Sequence, residues 1–187
     1  VADNTLVFYT SDNGPETSLK VRDKNVPYGR AQGLTKGLRG RKRSLYEGGI
    51  RVPSIVEWPA KIDAGTQVEV PCFTSDYFPT IAHILGIDLN KYKRPYDGES
   101  LQPYWSLQKR KRTQALVFQF GKQLALIDNY FKLYGISKDE YELYDLQKDT
   151  AEENDLSSHQ PKRVKLLKSL LFLFFQTQEQ MQRKTQR

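Results

Sequence analysis

Asp12, Asn13 and Gly14 stand together two residues after an apolar and β-branched run, Thr5-Leu-Val-Phe-Tyr9. A carboxylate and an amide carbonyl are hard oxygen donors of the kind Ca2+ and Mg2+ take. Neighbouring side chains on a regular strand point to opposite faces, so both reach one ion only where the backbone leaves the strand. Gly14 and Pro15 supply such a break. The same residues are ordinary turn chemistry, and spacing alone favours an Asx-type turn.

A second constellation runs from Leu38 to Pro53. Arg39, Arg41, Lys42 and Arg43 put four cations within five positions, ahead of Glu47, Gly48, Gly49 and Arg51. Fixed cations suit an anionic ligand, the paired glycines allow close backbone approach, and Glu47 is placed to pair with a cation and fix the loop. A solvated basic loop around a buried Arg–Glu pair fits the same spacing.

These residues need elements to hold them. Thr5–Tyr9, a continuous apolar and β-branched run, predicts a buried central strand whose end carries the Asp12 turn, the edge where open α/β sheets bind ligands. Residues 17–44 are polar and glycine-punctuated, which predicts a long surface loop. A second strand is expected over Pro53–Trp58. A short helix is expected from Ser75 or Asp76, with Pro79 in its first turn, Ile81, Ile84 and Leu85 on its apolar face, and Gly86 as its stop. Four short strands follow at Leu116–Phe120, Gln123–Ile127, Phe131–Tyr134 and Glu142–Leu146, with Asp128-Asn129 turning between the middle two. Val164, Leu167, Leu171 and Phe174 keep helical spacing in a last helix, with Phe172–Phe175 packing it on the small sheet and a solvated or frayed tail from Gln176. The basic run Lys109–Arg112 reads as a solvated linker and marks the expected division between 1–108 and 109–187.

The 187 residues carry a net charge of +7, with the basic excess at the two ends of the chain, which suits an anionic partner. The longest apolar run, Leu170–Phe175, is far short of the roughly 20 residues of a membrane span. No membrane partner is expected. One cysteine, Cys72, excludes an internal disulfide and leaves the redox compartment open. The chain opens at Val1 with no leader, so any targeting signal is expected upstream.

The order Thr5-Leu-Val-Phe-Tyr-Thr-Ser-Asp-Asn-Gly14, Gly40-Arg-Lys42 and Tyr46-Glu-Gly-Gly-Ile-Arg-Val-Pro53 resembles the second half of the formylglycine-dependent sulfatases. These are arylsulfatase-type enzymes within the alkaline-phosphatase-like superfamily. The resemblance continues through Asp76-Tyr-Phe-Pro-Thr80, Asp97-Gly-Glu-Ser-Leu101, Glu142-Leu-Tyr-Asp-Leu146 and Asn154-Asp-Leu156. It implies an α/β fold: the closing part of the sulfatase domain, then a small antiparallel sheet with a terminal helix. By the same resemblance, Asp12 and Asn13 match two Ca2+ ligands, Lys42 matches the catalytic lysine that contacts the substrate's sulfate, and Glu47, Gly48, Gly49 and Arg51 match a mainly structural motif. The implied partners are a sulfated small molecule or glycan and the N-terminal portion of the same protein, and the implied setting is periplasmic, secreted or lysosomal. Nucleic acid is not the expected partner.

The chain departs from that pattern in one respect that matters. Cys72 lies in Pro71-Cys-Phe-Thr-Ser-Asp76, which lacks the Cys-x-Pro-x-Arg spacing of the formylglycine precursor. The nucleophile and the remaining metal ligands are therefore expected upstream, and the chain alone is expected to be inactive. Arg43 stands where the family commonly has a small residue, and Thr150 where Pro is usual. Two rivals stay open: a phosphatase or phosphodiesterase of the same superfamily, against which the Glu47-Gly-Gly-x-Arg51 motif weighs, and a non-catalytic polyanion-binding module, whose mark would be salt-sensitive binding without Ca2+ dependence.

Overall fold

The structure is a computed structural model and describes residues 1–16, 33–91, 96–137 and 139–185, with side chains to residue 180. Most of the expected long loop, residues 17–32, lies outside the described residues. The chain divides into two compact units, Val1–Thr10 with Pro53–Leu116, and Ser11–Val52 with Val117–Arg187.

In the first unit, β1 (Val7–Thr10) pairs antiparallel with β2 (Ser54–Glu57), Val7 opposite Glu57 and Thr10 opposite Ser54. The apolar run predicted a strand buried on both faces. Among the described residues β1 has one hydrogen-bonded neighbour, β2, and Val7, Tyr9 and Ile55 are exposed. The core gathers Val70, Leu101 and Tyr104, the last on the one-turn helix α3 (Gln102–Trp105), with Phe8 stacked on Tyr77 at 4.3 Å between ring centres. Helix α2 (Tyr77–Ile84) forms where the Pro79 and Gly86 signals place it, and Gly86 has the positive φ, 66°, of a helix stop. Its buried face is a correction: Pro79, Thr80 and Ala82 point inward, while Ile81 and Leu85 are exposed.

The reason is polar. Thr80 Oγ1 donates to the Asp76 carbonyl at 2.6 Å and accepts the Leu101 N–H at 2.8 Å. Asp76 in turn takes two hydrogen bonds from Arg112, at 2.8 and 2.9 Å, with both side chains buried. The Lys109–Arg112 run is therefore no solvated linker: Arg112 closes a buried knot, and Lys109 pairs with Glu99 at 3.0 Å.

The second unit is built on a four-stranded antiparallel sheet in the order β3 (Leu116–Phe120), β4 (Gln123–Asp128), β5 (Phe131–Gly135), β6 (Tyr141–Asp145). Register puts Leu126, Leu133 and Leu143 side by side, and Ala125, Tyr134 and Glu142 beside one another on the opposite face. The leucine face meets α4 (Pro161–Thr185). Arg163 lies 3.5 Å from the Phe131 ring centre, Lys168 lies 4.3 Å from that of Tyr141, and Leu167 and Leu171 are buried.

Helix α4 continues to Thr185, so the tail from Gln176, read as solvated or frayed, is helical with Gln176, Glu179 and Gln180 exposed, and Phe172 and Leu173 are exposed rather than packed. The free edge of β6 is partly covered: Leu143 N–H donates to Asp155 and its carbonyl accepts from Leu156 N–H. No described helix is long and apolar enough to cross a membrane.

Candidate functional site

Asp12, Asn13 and Lys42 all lie in the second unit. Asp12–Gly14 forms a bend after β1 in which the Asp12 carboxylate accepts the Asn13 N–H at 3.0 Å, while Asn13 Nδ2 donates to the Gly14 carbonyl at 2.9 Å. The first bond joins adjacent residues and is not the bond two residues on that makes an Asx-type turn. It falls on Oδ1, as does the 3.4 Å contact from Ser11 Oγ, and the Asn13 amide directs its nitrogen into the chain, so oxygens of both side chains remain as donors for a hard cation. Asp12 is exposed and has no ion pair among the described residues. Two oxygens fit part of a calcium shell, which takes six to eight. No group of three or more His, Cys, Asp or Glu arranged for a metal occurs among the described residues.

The turn is stitched to the basic loop by main-chain bonds. Gly14 N–H donates to the Gly49 carbonyl at 2.9 Å, and Lys42 N–H donates to the Pro15 carbonyl at 3.0 Å. A Cβ on Gly14 would collide with the Gly48 carbonyl, and one on Gly48 with Gly40 and Arg39, so backbone touches backbone. Helix α1 (Glu47–Ile50) holds the glycine pair at this crossing.

Three of the four loop cations are consumed structurally. Arg39 donates to the Tyr144 hydroxyl at 2.7 Å and the Glu152 carbonyl at 3.2 Å, and stacks 3.9 Å over the Tyr46 ring centre. Arg41 donates to the carbonyls of Glu16 and Gly33, and Arg43 pairs with Glu16. Lys42, half-buried, has no side-chain partner among the described residues.

The sequence predicts that Glu47 pairs with a cation, with a buried Arg–Glu pair as the rival reading, and the structure gives it Lys132 as well as Arg51. Lys132 Nζ, fully buried on β5, lies 2.9 Å from Glu47 Oε1 and 2.8 Å from Glu152 Oε1, whereas Arg51 stands 3.5 Å from Glu47. The approach to Glu152 is an ion pair without hydrogen-bond alignment. Glu152 Oε2 also accepts the Glu47 N–H at 2.6 Å. Burial pushes the Glu152 carboxyl above its usual range, against the pull of Lys132. Beside the triad, Tyr46 and Tyr144 both donate to Glu142, and burial together with those bonds raises both phenols.

Sequence reasoning did not assign Gln123, Lys132, Tyr134, Glu142, Tyr144 or Glu152 to this region. A lone lysine inside the apolar Phe131–Tyr134 run was the available signal. His83 is exposed against Ser100, and Cys72 is exposed; neither joins the site.

Residues 1–87 match the family model described as Sulfatase. Steryl-sulfatase of Rattus norvegicus is 41% identical over 104 residues, 55% of this chain and 17% of that protein. N-acetylgalactosamine-6-O-sulfatase of Bacteroides thetaiotaomicron is 32% identical over 135 residues, 71% of this chain and 26% of that protein. A solved structure from work on the metabolism of multiple glycosaminoglycans by the same bacterium superposes with a TM-score of 0.70 at 26% identity, covering 92% of this chain and 39% of that one. The chain thus spans between 17% and 26% of the length of these two curated relatives.

Proposed function

Because this chain belongs to the sulfatase family and carries its alkaline-phosphatase-like α/β fold, we propose that it serves a sulfuric ester hydrolase, supplying two oxygens of a Ca2+ site and a sulfate-contacting lysine. The observation that carries this reading is the sorting of the loop cations: Arg39, Arg41 and Arg43 are engaged, and Lys42 alone among them has an uncommitted ammonium among the described residues. Cleaving a sulfate ester moves negative charge onto sulfate and leaving-group oxygens, and a fixed ammonium aimed there lowers the barrier. Asp12 and Asn13 would hold part of the Ca2+, which when bound supplies divalent charge to the same oxygens. The nucleophile, a formylglycine, and the remaining ligands belong in this reading to residues N-terminal to Val1.

Sulfated carbohydrate is the proposed substrate class, since a relative matched over 71% of this chain is named for a sulfated amino sugar. The proposed division at 108/109 has β3–β6 and α4 all on its C-terminal side, while the compact unit they belong to also takes in Ser11–Val52. The exposed Val7, Tyr9 and Ile55 suit a strand pair with further neighbours in the longer protein.

Calcium titration calorimetry beside steady-state kinetics on the full-length enzyme tests these roles. Lys42→Ala is expected to lower kcat/KM by roughly a hundredfold or more while Ca2+ affinity holds. Asp12→Ala is expected to weaken Ca2+ binding, with activity partly restored by raised Ca2+, and Asn13→Ala to do so more mildly. Lost Ca2+ binding in Lys42→Ala beside normal binding in Asp12→Ala would reverse the assignment. Turnover of an aryl phosphate in preference to an aryl sulfate would move it to the phosphatase branch.

A further inference from the structure

Lys42 sits at the second position of a four-residue turn, Arg41–Ser44, closed by Ser44 N–H donating to the Arg41 carbonyl at 2.9 Å. The third position, Arg43, has φ of 75°. That is the type II pattern, which glycine or asparagine favours at the third position, and an arginine there is held against an unfavourable backbone energy of about 1–2 kcal/mol. The Arg43–Glu16 ion pair is exposed on the arginine side, 45% accessible, and such pairs are weak. Something else must hold the turn.

Gln123, at the start of β4, is placed to do so. Its Nε2 donates to the Arg43 carbonyl at 3.0 Å and its Oε1 accepts the Leu45 N–H at 3.1 Å, so one amide side chain pairs with the loop as a neighbouring strand would. The Tyr134 hydroxyl donates to the same Oε1 at 2.9 Å, and the donor and acceptor pattern fixes which way the amide faces. Without Gln123 the turn can relax to type I, with negative φ at Arg43, which turns over the Lys42–Arg43 peptide and re-aims Lys42.

We propose that Gln123 is a positioning residue for Lys42, an inference that rests on Lys42 contacting sulfate. It acts from the antiparallel sheet by locking a turn that the local sequence disfavours.

The test uses the full-length enzyme, an aryl sulfate as substrate, and inorganic sulfate as the calorimetric probe. Gln123→Met is expected to lower kcat/KM by about tenfold to a hundredfold, as for a misplaced reacting group, and to weaken sulfate binding. In a Lys42→Ala background the same substitution is expected to change little further. Arg43→Gly, which makes the left-handed turn intrinsically accessible, is expected to return most of the activity lost in Gln123→Met, a rescue that a merely structural role would not give. Should Gln123→Met fail to fold, Gln123→Glu keeps the acceptor for Leu45 and Tyr134 but opposes a second oxygen to the Arg43 carbonyl, and the same loss and rescue are expected. Full activity in both Gln123 variants, independent effects of Gln123 and Lys42, or no rescue by Arg43→Gly overturns the proposal while Lys42→Ala remains impaired. Full activity in Lys42→Ala instead sinks the reading beneath it.

Discussion

The two faces of the four-stranded sheet are made of the same strands and do different work. One face presents Leu126, Leu133 and Leu143, each fully buried, on the side where α4 packs. The other presents Gln123, Lys132, Tyr134, Glu142 and Tyr144, and every one of them bonds to the loop between Arg39 and Glu47 or to a side chain that does. The apolar face is satisfied by any well-packed hydrophobe of the right volume. The polar face demands partners at fixed distances, since a buried donor or charge left unmatched destabilises the fold. A sheet with both faces can therefore build a core and, on its other side, specify the conformation of a loop.

The largest expected effect breaks the polar face at its centre. Lys132→Met leaves Glu152 buried without its cation and Glu47 with the exposed Arg51 at 3.5 Å, and chemical denaturation should show a loss of about 3–5 kcal/mol. Adding Glu47→Gln and Glu152→Gln should recover much of it; no recovery would mean that Lys132 matters through packing and not charge.

Leu133→Ala tests the other face. Denaturation should show a loss of about 2–5 kcal/mol from the cavity, yet kcat/KM per folded molecule should stay at the wild-type value, because that face holds a helix and not the loop. A drop in kcat/KM matching that of the polar-face variants would erase the distinction between the faces.

The smallest effect is a pH dependence. Tyr46 and Tyr144 have phenols raised in the folded protein, while unfolded tyrosine ionises near about 10. Their stabilisation is fully present below pH of about 10 and is lost as pH rises through the folded values, because the unfolded state then releases protons that the folded state retains. Melting temperatures of the wild type should fall above that pH, more steeply than those of a Tyr46→Phe/Tyr144→Phe variant. Parallel curves would place the alkaline sensitivity elsewhere.

Much of this was legible in the sequence, and the misses share a cause. The four strands, the last helix and α2 with its Gly86 stop follow from periodicity and turn residues, which act locally. The same local reasoning chose the wrong face of α2, because Thr80 faces inward to bond Asp76 and Leu101, and nothing within its helix announces a partner 21 residues away. Arg112 was read as part of a charged run for the same reason. Asp12, Asn13 and Lys42 could be singled out because they cluster in short motifs. Gln123 and Glu152 could not, since their roles exist only once residues 78 and 105 positions apart in the chain are brought together.

The crossing of Gly14 with Gly48 and Gly49 has a mechanical consequence. Side chains between two chain segments act as compliant spacers that absorb small displacements by changing rotamer. Main chains in direct contact have no such slack. The Asp12 turn and the lysine loop therefore move as one stiff piece, and a shift imposed on the turn is passed to the loop almost undiminished. Any residue larger than glycine at position 14 would act as a wedge, prying the two apart and loosening both at once.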